Sequence, residues 1–160
     1  MSVPEPVVVK GTSEGKRIGI VGDIYRFLAT GEDTSGQYAL IEAVVLPGGG
    51  PPPHTHLRED ESFYVVEGEV TFYSGEDRIV GKPGTFIHMP RDNQHSFNNE
   101  SDQPAKMLIS LMPAGLEEMF IEGGRELAEG ELPDKPSEEE IERLLKIADR
   151  YGIEYNLPTH

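Results

Sequence analysis

Of the five histidines, His54 and His56 stand one residue apart, directly after the run Gly48-Gly49-Gly50-Pro51-Pro52-Pro53. On an extended segment such a pair points to one face, so both imidazoles can converge on a single point. Glu61 follows at the head of the apolar run Ser62-Phe63-Tyr64-Val65-Val66, which ends at Gly68. A third histidine, His95, comes after a turn at Pro90, with Asn99 further along. Three imidazoles and one carboxylate suit a divalent transition metal of the borderline class, with positions left over for water or substrate. Singly, each residue has an ordinary reading: the paired histidines on a polar loop, Glu61 as surface charge beside Glu59 and Asp60, His95 as a hydrogen-bonded strand residue. It is their joint order along the chain that points to a metal site.

A divalent ion held by three neutral imidazoles and one carboxylate keeps a single positive charge and draws an anionic, oxygen-bearing ligand. Phe63, Val65, Phe72, Phe86 and Phe97 are expected to wall the pocket around it. Such an ion acts as a Lewis acid toward an enolate; iron, manganese, nickel or cobalt would also bring that ligand next to dioxygen, whereas zinc would not. Glu61 is the expected catalytic residue, both binding the metal and accepting the substrate's hydroxyl proton. His88 would orient substrate if it turned inward with Phe86; otherwise it is a hydrogen-bonded strand histidine. Tyr64 and Tyr73 read as wall or surface aromatics, and Met89, Met107 and Met112 as core.

Short apolar runs rich in Val, Ile, Phe and Tyr, broken by Gly, Pro, Asn and Asp, must position these residues. They predict strands at 7–9, 17–21, 24–28, 38–46, 61–67, 69–73, 77–80, 85–89, 95–98 and 106–111. Even spacing of this kind indicates an all-β sandwich or barrel. Glu67-Gly68-Glu69 and Ser74-Gly75-Glu76-Asp77 read as hairpin connections, and Pro83-Gly84 and Pro90-Arg91-Asp92-Asn93 as turns. After Pro113 the pattern becomes helical: Leu116, Met119 and Phe120 share a face, and Ser137 with Glu140 forms a capping-box signature. The second helix carries the stripe Ile141, Leu144, Leu145 and Ala148, with Gly152 as its stop. Residues 1–113 are thus expected to form the barrel, and 114–160 a helical extension packed on it or on a neighbouring subunit.

A formal net charge of −15 would be repelled by phosphate backbones and anionic lipid, so neither nucleic acid nor a membrane surface is an expected partner. The chain has no cysteine, which excludes disulfides, thiolate metal sites and a catalytic thiol. No basic segment with an apolar continuation opens it, and no stretch reaches the roughly 18 apolar residues of a membrane span. A cytoplasmic protein is the expectation.

Gly48, His54-Thr55-His56, Glu61 and Gly68 together resemble the first motif of the cupin superfamily, and Pro83-Gly84, Pro90, His95 and Asn99 the second, with looser glycine-proline spacing at its start. The resemblance implies a jelly-roll barrel over about residues 17–112, one divalent metal per chain on His54, His56, Glu61 and His95, and a homodimer. The single-cupin length, Pro51-Pro52-Pro53-His54-Thr55-His56 and the tail Tyr151-Gly152-Ile153-Glu154-Tyr155 look most like quercetinase-like cupins. That implies a dioxygenase acting on a flavonol-like or other enolisable aromatic substrate. A non-redox isomerase or lyase, and a barrel that only binds a small molecule, are the competing expectations.

Overall fold

The computed structural model describes residues 3–156; the outermost residues of both expected segments lie outside the described range. The chain runs β1 (Arg17–Ile20), β2 (Asp23–Ala29), β3 (Ala39–Val45), β4 (His54–His56), β5 (Asp60–Glu67), β6 (Val70–Ser74), β7 (Asp77–Gly81), β8 (Phe86–Met89), β9 (Gln94–Asn98), β10 (Ala105–Met112), α1 (Glu117–Gly123), β11 (Arg125–Glu126), α2 (Glu138–Ala148) and β12 (Ile153–Tyr155). Two antiparallel sheets face each other, one in the order β11-β1-β2-β3-β10-β5-β8 and the other β12-β4-β9-β6-β7. This is the jelly-roll architecture, with side chains of both inner faces forming the core.

Alternation builds that core. In β5, Glu61, Phe63 and Val65 are buried while Tyr64 and Val66 are exposed, and β10 alternates in the same way through Met107, Ile109 and Leu111. Phe63, Phe72 and Phe97 meet with ring centroids 5.1–6.1 Å apart, joining the two sheets. Each such buried ring contributes roughly 1.5–3 kcal/mol.

Several connections differ from the sequence expectation. Glu67-Gly68-Glu69 is not a hairpin: β5 and β6 belong to different sheets, and the turn crosses between them. Gly68 adopts φ 72°, and a side chain there would meet the Pro104 carbonyl at 2.8 Å, so glycine is required. Ser74 to Asp77 is a hairpin, with Ser74 and Asp77 paired at its base. Residues 7–9 form no strand; Val7 and Val9 are exposed because no described strand offers that segment a ladder. Met112, expected in the core, is 43% exposed at the end of β10.

After Pro113 the chain is not purely helical. β11 pairs with β1 and β12 pairs with β4, so this segment adds an outer strand to each sheet. The Ser137 hydroxyl accepts the Glu140 N–H at 3.1 Å, as the capping signature predicts. The Glu140 carboxylate, however, accepts the Val21 N–H at 2.8 Å and thereby ties α2 to the β1–β2 turn. Leu144, Ile147 and Ala148 are buried, whereas Ile141 and Leu145 of the same stripe are less covered. None of the described helices is long and apolar enough to cross a membrane.

Candidate metal centre

The cluster is assembled by strand register. His54 and His56 alternate with Thr55 along β4 and both face inward, His54 pairs directly with His95 on β9, and Glu61 opens the inward face of β5 in the opposite sheet. One ligand atom from each of His54, His56, Glu61 and His95 lies within 4.8 Å of all the others, and all four residues are buried. His54 Nε2 and His56 Nε2 are 3.0 Å apart, while Glu61 Oε1 lies 2.8 Å from His95 Nε2 and 3.4 Å from His56 Nε2.

The outer ring nitrogens fix the tautomers of two imidazoles. His54 Nδ1 lies 2.9 Å from the Pro52 carbonyl and His95 Nδ1 3.1 Å from that of Asn93. A carbonyl only accepts, so Nδ1 carries the proton and Nε2 presents its lone pair to the cluster. Buried lone pairs from nitrogen and a carboxylate, directed at one point, are the donor set of a divalent cation. Atoms bound at about 2.1 Å to one ion stand about 3 Å apart when adjacent, in keeping with the closest spacings here.

The local electrostatics keep His54 neutral and Glu61 charged. Burial, then the neighbouring imidazoles, pushes His54 down to about 4, so it is neutral at neutral pH. Burial opposes ionisation of Glu61, but His56 and His95 outweigh it and hold the carboxyl far below its usual range. Burial likewise opposes a charged His56; Glu61 and then Glu59 overcome it and raise the imidazole above its ordinary value. Glu59, which reads as surface charge in the sequence, is buried with Oε2 lacking a described partner, and burial raises its carboxyl to about 6. Asp60 instead accepts the Arg91 backbone N–H at 3.0 Å at the surface.

The loop before β4 is clamped. Gly50 has φ 127°, and a side chain there would meet the Phe97 carbonyl at 2.0 Å, so the backbone can approach β9 only as glycine. Asp23 accepts the Leu46 N–H at 3.1 Å and a backbone hydrogen bond from Gly50. Asn99 accepts the Gly48 N–H at its backbone carbonyl, and its side chain donates to Val45 and Gln103 and accepts from Ser101. The second motif's asparagine thus fastens the glycine loop to the end of β9.

A cavity of about 50 Å³ adjoins His54, His56 and Glu61. Of the five side chains expected around the substrate, only Phe97 lines it. Phe63 and Phe72 are core, packed on Phe97 and, for Phe63, against His95 with centroids 6.1 Å apart. Phe86 and His88 are corrected outward: they pair across β5 with Tyr64 and Ser62, on the face opposite Glu61 and Phe63. Phe86 is 64% exposed, and His88 Nδ1 lies 2.9 Å from the Ser62 hydroxyl at the surface. β8 buries Met89 instead, directly across from Glu61.

The remaining walls come from residues not expected at the pocket. Tyr25 on β2 lines the cavity and stacks on Phe120 of α1 with centroids 5.1 Å apart; Leu116 and Met119 close the same side. Tyr155 pairs with His54 in the β12–β4 ladder, their rings 5.9 Å apart, and Ile153 pairs with His56. Burial, then Asp23, raises the Tyr25 hydroxyl well above its ordinary value, and burial alone takes Tyr155 up to about 12. Both are therefore O–H donors at neutral pH. The signal for Tyr155 was the alternation of Ile153 and Tyr155 about Glu154, too short to separate from a helix end.

Residues 41–111 match the family described as the cupin domain. The chain is 29% identical over 148 residues to quercetin 2,3-dioxygenase of Bacillus subtilis (strain 168), covering 92% of this chain and 43% of that protein. It is 30% identical over 112 residues to the polyketide synthase CurC of Streptomyces cyaneus, covering 69% and 70%. It thus spans less than half the length of the Bacillus protein. Among solved structures, a sugar phosphate isomerase of the cupin superfamily from Silicibacter pomeroyi superposes with a TM-score of 0.53 at 26% identity, covering 63% of this chain and 71% of that one.

Proposed function

The chain belongs to the cupin superfamily, and from that premise we propose that it is a metal-dependent dioxygenase of quercetinase type acting on a small, enolisable, flavonol-like or aromatic substrate. The observation that carries this reading is the buried convergence of His54, His56, Glu61 and His95 on an apolar cavity. The three Nε2 atoms and a Glu61 oxygen would hold one divalent ion of the iron, manganese, nickel, cobalt or zinc group. Bound there, such an ion supplies Lewis acidity toward an enolate and, if redox-capable, chemistry with dioxygen.

The chain's own residues do the rest. Glu61, the carboxylate of the cluster, accepts the proton of the substrate's enolisable hydroxyl. Tyr25 and Tyr155 offer donors to substrate oxygens, and Leu116, Met119 and Phe120 exclude water. Among the described residues the cavity walls carry no Lys or Arg, so the charge of a bound ion would be what attracts an oxygen anion. Oxygen uptake tests the reading: consumption that starts on adding a flavonol to metal-replete protein supports it, and none with any redox-capable ion refutes it.

Metal-assisted isomerisation without redox chemistry is favoured by the likeness to the Silicibacter pomeroyi structure. The absence of cationic side chains from the cavity wall among the described residues weighs against a phosphorylated substrate. Stoichiometric zinc with no oxygen uptake would move the assignment to this reading. We also infer a homodimer, because Tyr64, Val66 and Phe86 are exposed together on β5 and β8. Light scattering after size exclusion tests it, and a monomeric mass would refute it.

A further inference from the structure

Among the described residues, the buried carboxylates are those of Asp23, Glu59, Glu61 and Glu117. Asp23 accepts from Leu46, Glu61 meets His95, and Glu117 accepts the N–H groups of Gly31 and Gly115. Glu59 is 3% exposed, yet its Oε2 has no partner among the described residues. One ring nitrogen of the cluster is in the same position. His54 and His95 each bring Nδ1 to the carbonyl two residues back, whereas His56 Nδ1 is buried without a partner. Leaving a buried donor or acceptor unpaired is costly, and here one of each kind occurs within a single short segment.

We infer that Glu59 is a positioning residue for His56: its carboxylate takes the Nδ1 proton in a hydrogen bond, by a turn of its side chain or across one buried water, and so aims His56 Nε2 at the cluster. The inference rests on the function proposed above in requiring a divalent ion at the cluster, and it deepens that reading by naming what holds the third imidazole.

Three observations carry it. First, His56 Nε2 lies 3.0 Å from His54 Nε2 and 3.4 Å from Glu61 Oε1, so Nδ1, across the ring, is turned away from the cluster. Second, the cationic neighbours of Glu59 are engaged elsewhere: Arg58 donates to the Arg150 carbonyl, and Arg91 pairs with Asp60. His56 acts on Glu59 more strongly than either arginine, and Glu61 and Glu59 are the carboxylates that act on His56. Third, a carboxylate on the outer nitrogen fixes the tautomer and also strengthens Nε2 as a metal donor. The carbonyls of Pro52 and Asn93 fix the tautomers of His54 and His95 but bring no full charge.

The test uses zinc, whose diamagnetism leaves imidazole protons visible by NMR, and takes its Kd from competition with a chelator. Wild type is compared with Glu59→Gln, Glu59→Leu and Asp60→Asn; the last removes a neighbouring carboxylate charge at the surface and keeps an acceptor for the Arg91 N–H. In zinc-loaded wild type the His56 Nδ1 proton should lie downfield of those of His54 and His95, as a proton shared with a carboxylate does. It should move upfield in Glu59→Gln, whose amide oxygen accepts without charge. The zinc Kd should rise about tenfold in Glu59→Gln and about thirtyfold in Glu59→Leu, and change less than about twofold in Asp60→Asn. Unmoved His54 and His95 Nδ1 protons report that the cluster is intact. A His56 proton at one position in wild type and Glu59→Gln, a Kd unchanged in both Glu59 variants, or an equal loss in Asp60→Asn overturns the inference while the cluster stands. A wild type that binds no zinc overturns both.

Discussion

Tyr155 stands directly across the β12–β4 ladder from His54, with the two rings 5.9 Å apart. Residues opposed in an antiparallel ladder share a face, so β12 delivers a phenol to the wall of the His54, His56, Glu61 and His95 cluster. Tyr155→Phe removes the hydroxyl and little else. One hydrogen bond to substrate is worth on the order of 1.5 kcal/mol, so kcat/KM for a flavonol should fall about tenfold while metal content is unchanged. Equal losses of metal and activity would mean that Tyr155 only supports the strand.

Glu61 has two tasks, ligand and proton acceptor, and the amide retains a donor atom for the first but is a poor base. Glu61→Gln should therefore keep part of the metal and lose most turnover. Elemental analysis and steady-state rates on the same preparation decide it; activity falling only in proportion to metal would show no separate role as a base.

Asp23 gives a pH signature away from the cluster. Burial raises its carboxyl from 3.8 to about 7, against the backbone hydrogen bonds from Leu46 and Gly50 that favour the ionised form. The folded state therefore binds the proton more tightly than the unfolded chain. The associated stability is fully present below about pH 4, declines as pH rises toward 7 and is gone above it, a change on the order of 4 kcal/mol. Asp23→Asn retains an acceptor for Leu46 and cannot ionise. The stability difference between variant and wild type, from urea unfolding at several pH values, should grow in the variant's favour from pH 4 to 7 and then level; a difference independent of pH would contradict it.

Asn99 is fully buried, and its side chain serves the carbonyls of Val45 and Gln103 as well as Ser101. Asn99→Ala leaves those groups unpaired beside the glycine loop and should cost about 2–4 kcal/mol. A urea midpoint shifted by less than about 0.5 kcal/mol equivalent would show that those groups are satisfied without the side chain.

The convergence of His54, His56, Glu61 and His95 was legible in the sequence because each has a chemically distinctive side chain and its neighbours fix its direction: Thr55 between the histidines, and Glu61, Phe63 and Val65 alternating along β5. The pocket was not. Phe86 and Ile87 are both apolar, so composition leaves the parity of β8 open, and only the pairing of His88 with Ser62 sets it outward. Gly68 marks a tight turn equally well within a hairpin or between sheets; the partner strands decide, and they are distant in sequence. Tyr25, Leu116 and Tyr155 reach the cavity from β2, the start of α1 and β12, a meeting that local periodicity cannot register. The stripe on α2 was visible as apolar, but which of its residues are buried depends on what packs against it.

Metal content per chain, by elemental analysis of wild type beside His95→Ala, both purified without added metal or chelator, tests the central claim most directly. The account predicts about one redox-capable first-row ion per wild-type chain and less than about a tenth of that in the variant. A wild type that stays metal-free after reconstitution, or a variant that retains the full complement, would contradict it.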